Sequence, residues 1–340
     1  MTATFDTQAE PLIRLVAERI IKWPFRIWGF GEGIALRGLM AADRAMGKVG
    51  YRNFVEDLLN TYIGCEVGEK KEEHIAPGTE LLTMYEENGD VAFLEAAKKL
   101  AALNATFPKN PFGARMHKPN TPGWRKQIWV DCMDVDGPFL VRLGRIVGEG
   151  VYIKQGLEEL LGYSKALQID DGSSASGLFW HGYETNCGKN GQLWARGNGW
   201  ALMGFVETLK LLSGSHEARP ELLNRLLIQC QALKRYQSPS GLWNTVVTRP
   251  ETYLESTLAV MSAWALREAF NARLLEESEF GEMENRARLG AHGCVNDDGE
   301  LELVSEATPI GELKMYATRP FGVFPWGQGP LLLMISQEIL

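Results

Sequence analysis

The sequence contains no uninterrupted run of about eighteen apolar residues, so no segment reads as a membrane-spanning helix. Its amino-terminal stretch MTATFDTQAEPLIRL lacks the basic and then apolar order of a secretory signal, which makes the cytoplasm the expected location. Cysteine is scarce: Cys65, Cys132, Cys187, Cys230 and Cys294 are scattered, odd in number and never form a CxxC pair, against both a disulfide framework and a zinc ribbon. None of the five histidines falls in an HExxH pattern or at zinc-finger spacing from a cysteine pair, so no metal or other cofactor is expected. Positive charge is not in excess either. A net charge of -8 disfavours a phosphate-binding surface and makes nucleic acid an unexpected partner.

What is present is an ordinary folded composition, 45% hydrophobic and 23% charged over 340 residues, long enough to bury a substantial core. No linker rich in proline, serine and glycine divides the chain, so one domain is expected over residues 1–340. Apolar residues recur at three- and four-residue steps in PLIRLVAERIIKW, GDVAFLEAAKKLAALNATF, GWALMGFVETLKLLSG and STLAVMSAWALREAFNARLL, giving each segment one buried helical face. Strand-like runs are short and few, GLFWHGY and GLWNTVV being the clearest. The predicted class is all-α.

Aromatic, glycine and carboxylate residues gather repeatedly just before an apolar helix: near Trp28, Glu73, Asp131, Trp194, Glu251 and Trp326. These junctions number about six and lie roughly 50 to 70 residues apart, one helical hairpin each. Roughly twelve helices alternating inner and outer would close a ring, an (α/α)6 barrel of six hairpins with functional loops at one mouth. The competing reading is an open helical solenoid with these motifs as caps and turns, but solenoid repeats resemble one another in sequence and these junctions share only composition.

The stretch QIWVDCMDVDGP places Asp131, Asp134 and Asp136 close together. A calcium loop would need oxygen ligands where Cys132 and Leu143 stand, so that reading fails. Gly137-Pro138 predicts a kink or a helix restart. Asp134 and Asp136 are expected to cap a helix or face solvent. Asp131 differs, because Ile128, Trp129 and Val130 form an apolar approach that in a closed pocket would raise a carboxyl pKa toward proton exchange near neutrality.

WARGNGW reads as a glycine-rich turn that sets Trp194 and Trp200 around Arg196; the indoles suit a flat sugar face and the guanidinium suits a carboxylate. His181, in LFWHGYETN, and the pair His117 and Lys118, in RMHKPN, would complete a basic set for an anionic ligand. Glu251, Tyr253 and Glu255 precede a strongly apolar helix and are assigned structural roles, with Ser256 and Thr257 as candidate caps and Glu255 at the positive helix end.

With these motifs in their order, most of the chain from about Trp28 onward resembles the unsaturated glucuronyl and rhamnogalacturonyl hydrolases of glycoside hydrolase families 88 and 105, the second more closely. The resemblance is carried by EHIAPGTELLTMYEENGD, the His117-Lys118 pair, QIWVDCMDVDGPFL, GLFWHGY, WARGNGW, GLWNTVVTRPETYLESTLAVMSAWAL and WGQGPLLLM. It implies an (α/α)6 barrel that needs no metal. The implied substrate is a lyase-generated oligosaccharide ending in a 4,5-unsaturated uronic acid, with galacturonyl-rhamnose the expected case. An aspartic acid protonates C4 of the vinyl ether and then deprotonates a water that adds at C5. That residue matches Asp131, and a second family aspartate matches Glu73, where glutamate is a departure. His117, Lys118, His181, Trp194, Arg196 and Trp200 match substrate-binding positions. MHK in place of aromatic-His-Lys, a longer run from Lys118 to Asp131, and CMDVDG after it are further departures. Two alternatives stay open: an inverting glycosidase with Asp131 and Glu73 as acid and base, and an inactive carbohydrate-binding barrel.

Overall fold

A computed structural model describes residues 6–25, 29–64 and 75–339. Its first seven helices are α1 (Asp6–Ile21), α2 (Phe30–Ala45), α3 (Tyr51–Gly64), α4 (Gly78–Asn88), α5 (Val91–Thr106), α6 (Cys132–Val147) and α7 (Gly150–Leu167). Then come α8 (Ala195–Leu211), α9 (Arg219–Tyr236), α10 (Thr257–Asn271), α11 (Glu277–His292), the short α12 (Leu313–Ala317) and α13 (Pro325–Ser336). The strands are brief: β1 (Gln127–Trp129), β2 (Gly182–Glu184) and β3 (Gly188–Asn190) form one antiparallel sheet, and β4 (Trp243–Asn244) pairs with β5 (Leu254–Glu255).

Helices α2, α4, α6, α8, α10 and α13 each pack on the next, and α13 returns to α2, so the inner ring closes. Outside it, α3, α5, α7, α9 and α11 pack on the inner helices they follow, and α1 packs on α13. The sixth hairpin is therefore made by the two ends of the chain. This is the expected (α/α)6 barrel, with α12 as an addition to the twelve helices predicted.

Burial follows the division between layers. In α9 only one stripe is buried, with Leu222, Leu226, Gln229, Cys230 and Leu233 on it, and α11 repeats this with Phe280, Met283, Glu284, Ala287 and Ala291. Those spacings mark a helix with one face toward the core. In α10, by contrast, every residue from Thr257 to Leu266 is buried, because an inner helix has neighbours on all sides. Glycines let the inner backbones meet: a Cβ on Gly38 of α2 would lie 2.6 Å from the Gly329 carbonyl oxygen of α13, and one on Gly204 of α8 would lie 2.1 Å from the Met133 carbonyl oxygen of α6.

Two local expectations are overturned. Helix α6 runs unbroken through Pro138. Its packing on α7 overrides the local preference: a Cβ on Gly156 would come within 2.8 Å of the Gly137 carbonyl oxygen, so the helices are in contact where the break was expected. WARGNGW is helical from Ala195 onward and not a turn, because Gly197 fits against Val130 and Gly199 against Met261, contacts at 2.6 and 2.4 Å for any added Cβ. Of the strand-like runs, GLWNTVV contributes β4 and GLFWHGY only the start of β2, whereas QIW forms β1.

Candidate active site

A cavity of about 400 Å³ opens at the N-terminal ends of four inner helices. Helix α2 lines it with Phe30 and Glu32, α6 with Asp131 at its N-cap position, α8 with Trp194, Arg196 and Trp200, and α13 with Trp326. His117, Lys118, Trp124 and Trp129 close one side, and Ala307, Thr308 and Pro309 another. Unsatisfied N–H groups give each helix start a partial positive charge, so four converging starts favour negative charge in the cavity. Six aromatic side chains on the wall offer flat apolar faces to a ring that is polar at its edge.

Strand pairing brings Asp131 to its neighbour. Trp129 of β1 lies opposite Gly182 of β2, and one residue further on the Val130 N–H donates to the His181 carbonyl oxygen at 2.9 Å. The side chains that follow are thereby held together, with His181 Nε2 3.4 Å from Asp131 Oδ2. Asp131 is 7% exposed and its Oδ2 is sealed from solvent without a hydrogen bond, so Oδ1 is the oxygen open to the cavity. The His181 ring lies 4.4 Å from that of Trp194 and 5.3 Å from that of Trp129, and its Nδ1 lies 2.6 Å from the Tyr316 hydroxyl. Burial pushes the Tyr316 phenol well above its usual range, with the Asp131 charge adding to the effect.

Arg196 meets a carboxylate as the sequence suggests, but it is the protein's own. Its Nη1 donates to Glu255 Oε1 at 2.7 Å and to the Ser305 carbonyl oxygen at 3.0 Å, and Nη2 donates to the Glu306 carbonyl oxygen at 3.0 Å. Burial draws the guanidinium below its ordinary value, and Glu255 and then Asp131 oppose the fall. Glu255 is fully buried here and does not merely sit at a helix start; Ser256, at the N-cap position of α10, donates to the Glu302 carbonyl oxygen. Arg196 thus ties α8 and β5 to the 305–308 wall while its guanidinium lies 4.4 Å from the Trp194 ring.

The other aspartates do not cap helices or face solvent. Asp134 is 1% exposed and receives a two-pronged ion pair from Arg37 of α2, at 3.1 and 3.0 Å, while Arg37 also reaches Glu80 of α4 at 3.4 Å. Burial raises the Asp134 carboxyl above its ordinary value although Arg37 pulls it down. Asp136 is fully buried and accepts a hydrogen bond from Tyr163 at 2.8 Å. Both aspartates are held where inner helices meet other inner or outer helices, a circumstance set by Arg37 and Tyr163 and not by their sequence neighbours.

Six of the expected site residues, His117, Lys118, Asp131, Trp194, Arg196 and Trp200, line the one cavity, and His181 stands behind Asp131. Glu73 lies outside the described residues. Trp124, Glu32 and Tyr316 were not anticipated. Trp124 is half-buried, tilts on Trp129 at 4.8 Å and carries the Lys118 ammonium 4.6 Å over its ring. Its signal was a tryptophan among basic residues in the lengthened run before Asp131. Tyr316 lies 135 positions from its partner and has no such signal.

A closed ring of inner helices, with an aromatic cavity and a buried carboxyl group on its lining, fits a carbohydrate-active barrel. The chain belongs to Glycosyl Hydrolase Family 88, whose profile matches residues 16–339. It is 28% identical over 340 residues to an unsaturated rhamnogalacturonyl hydrolase, YesR, of Bacillus subtilis, covering 97% of this chain and 96% of that protein. Among solved structures it is similar to a possible member of the GH105 family from Salmonella enterica, with TM-score 0.87, 23% identity, and 98% of this chain and 94% of the other covered. An unsaturated glucuronyl hydrolase from Bacillus sp. GL1 aligns with TM-score 0.78 and 16% identity, over 97% of this chain and 95% of that one.

Proposed function

We propose that the chain acts as a single catalytic domain that removes a 4,5-unsaturated uronic acid from the non-reducing end of lyase-generated oligosaccharides, with unsaturated galacturonyl-rhamnose from pectin as its substrate and the cytoplasm as its location. The observation that carries this reading is Asp131, with one oxygen sealed against His181 and the other open to an aromatic cavity. Protonated Asp131 gives its proton to C4, and the double-bond electrons form the C4–H bond, leaving an oxocarbenium centre at C5. Asp131, now ionised, takes a proton from the water that adds at C5. The resulting hemiketal opens, the C1 hemiacetal collapses, and the aglycone leaves with its own oxygen. Protons and water balance without a further reagent.

Trp194, Trp200 and Trp124 supply faces for the sugars, Lys118 and the helix starts face the uronate carboxylate, and His117 stacks at 4.5 Å on Trp129 and so backs the wall. Arg196 holds the wall in place, and Glu73 is assigned as the second carboxylate by its match to the family position. The test is a panel of unsaturated products from rhamnogalacturonan, glycosaminoglycan and ulvan lyases. The protein is expected to bleach the ultraviolet absorbance of the rhamnogalacturonan product, and Asp131→Asn to abolish bleaching while still binding it. No bleaching across the panel would overturn the proposal. A second reading, an inverting glycosidase on a saturated glycoside, is favoured by one observation: Glu32 places another carboxylate on the same cavity wall. Cleavage of saturated glycosides and not of lyase products would establish it.

A further inference from the structure

Tyr316 belongs to α12, the helix that the barrel itself does not require, and it is absent from the cavity wall. Its hydroxyl nevertheless makes the one hydrogen bond available to the far side of the His181 ring, 2.6 Å from Nδ1, with both residues fully buried. Gly191 leaves room for it, since a Cβ there would stand 2.8 Å from the phenol oxygen. On the near side, His181 Nε2 and Asp131 Oδ2 face each other at 3.4 Å, both sealed from solvent and neither with a hydrogen bond of its own.

We infer that Tyr316 is a positioning residue that fixes the tautomer of His181, keeping Nδ1 as an acceptor and the proton on Nε2, directed at Asp131 Oδ2. At 2.6 Å one of the two atoms must donate. If Nδ1 carried the proton, the bare Nε2 lone pair would face Oδ2, an acceptor whether or not Oδ1 holds a proton, setting two buried acceptors against each other, and each unmet acceptor is costly. With the proton on Nε2 the same approach becomes a charge-assisted contact, poised to shorten when Asp131 ionises. The phenol is suited to donating: burial keeps it protonated, and with the ring proton on Nε2 its O–H is the donor that meets Nδ1.

The consequence is a division of labour between the two carboxyl oxygens. Oδ2 is anchored by His181 and does not exchange protons with the ligand, whereas Oδ1, open to the cavity, gives the proton up and takes one back. Tyr316 reaches this chemistry only through His181. The catalytic consequence rests on the function proposed above, but the tautomer does not, and the test separates them.

Histidine-selective nitrogen-15 NMR of the full chain reads the ring nitrogens directly, with His181→Gln identifying the His181 signals among the five histidines. The wild type is expected to show a pyrrole-type Nε2 and a pyridine-type Nδ1 at His181, and Tyr316→Phe to lose that preference while the other histidines stay unchanged. In parallel, Tyr316→Phe is expected to lower kcat roughly tenfold at unchanged KM, the worth of about one hydrogen bond. A pyridine-type Nε2 in the wild type overturns the inference from that spectrum alone, whether or not the variant folds. An unchanged tautomer in folded Tyr316→Phe overturns it as well. Absence of any uronyl hydrolase activity alongside the expected spectra would refute the function and leave the tautomer assignment standing.

Discussion

Replacing Arg37 by methionine would leave two carboxylates, Asp134 and Glu80, inside the barrel wall without their shared cation. Asp134 is 1% exposed and Glu80 3%, so water cannot take over from the guanidinium that now holds them at 3.0 to 3.4 Å. Breaking a buried ion pair by removing one partner costs about 3–5 kcal/mol. An unfolding entropy of about 2.1 cal/mol/K per residue over the whole chain is roughly 0.7 kcal/mol/K, so Tm should fall by about 4–7 °C. Asp134→Asn should cost less, about 1–3 kcal/mol, because Glu80 still balances Arg37 and the amide oxygen still accepts. The deficit of Arg37→Met should depend on pH. The folded pKa of Asp134 already lies above its ordinary value of 3.8, so its contribution to stability is fully present below that value and is lost as pH rises through the folded one. Removing Arg37 raises the folded value further and extends that loss toward neutrality. Thermal unfolding of both variants between pH 4 and 7 checks this. Equal costs for the two variants, or an Arg37→Met deficit that does not shrink in acid, would refute the reasoning.

Gly204→Ala places a methyl group 2.1 Å from the Met133 carbonyl oxygen, and the forced separation of α8 from α6 should cost about 1–3 kcal/mol, read as a lowered Tm. Trp124→Ala, at a half-buried position on the cavity wall, should raise KM for the lyase product roughly three- to tenfold with stability nearly unchanged, since only stacking is lost. Glu255→Gln removes the carboxylate that the buried Arg196 guanidinium pairs with directly; it should destabilise by about 3–5 kcal/mol and speed hydrogen exchange over residues 305–308, where Arg196 holds the Ser305 and Glu306 carbonyl groups.

The inner and outer layers were legible in the sequence because burial imposes a pattern: one-sided stripes such as Leu222, Leu226 and Leu233 mark an outer helix, and the apolar run from Leu258 to Leu266, interrupted only by Ser262, marks an inner one. The junction motifs at Asp131, Trp194 and Trp326 were legible for the same kind of reason, since each falls where the chain enters an inner helix at the cavity. Neighbours distant in sequence were not. Asp134 looked like a solvated carboxylate because Arg37 stands 97 positions away, and WARGNGW looked like a turn because Val130 and Met261, which fit its glycines, are not in the segment. His181 was found by its motif, but its contact with Asp131 arises from the pairing of β1 with β2, a register that neither strand specifies alone. Tyr316, on a five-residue helix outside the barrel repeat, could be found only in three dimensions.

The central claim is that Asp131 delivers its proton to carbon. Turnover of an unsaturated galacturonyl-rhamnose in deuterium oxide, followed by NMR from the first turnovers, tests it most directly. One deuterium at C4 of the released uronate, with no product formed by Asp131→Asn, is the predicted result; release of the aglycone with C4 free of deuterium would contradict it.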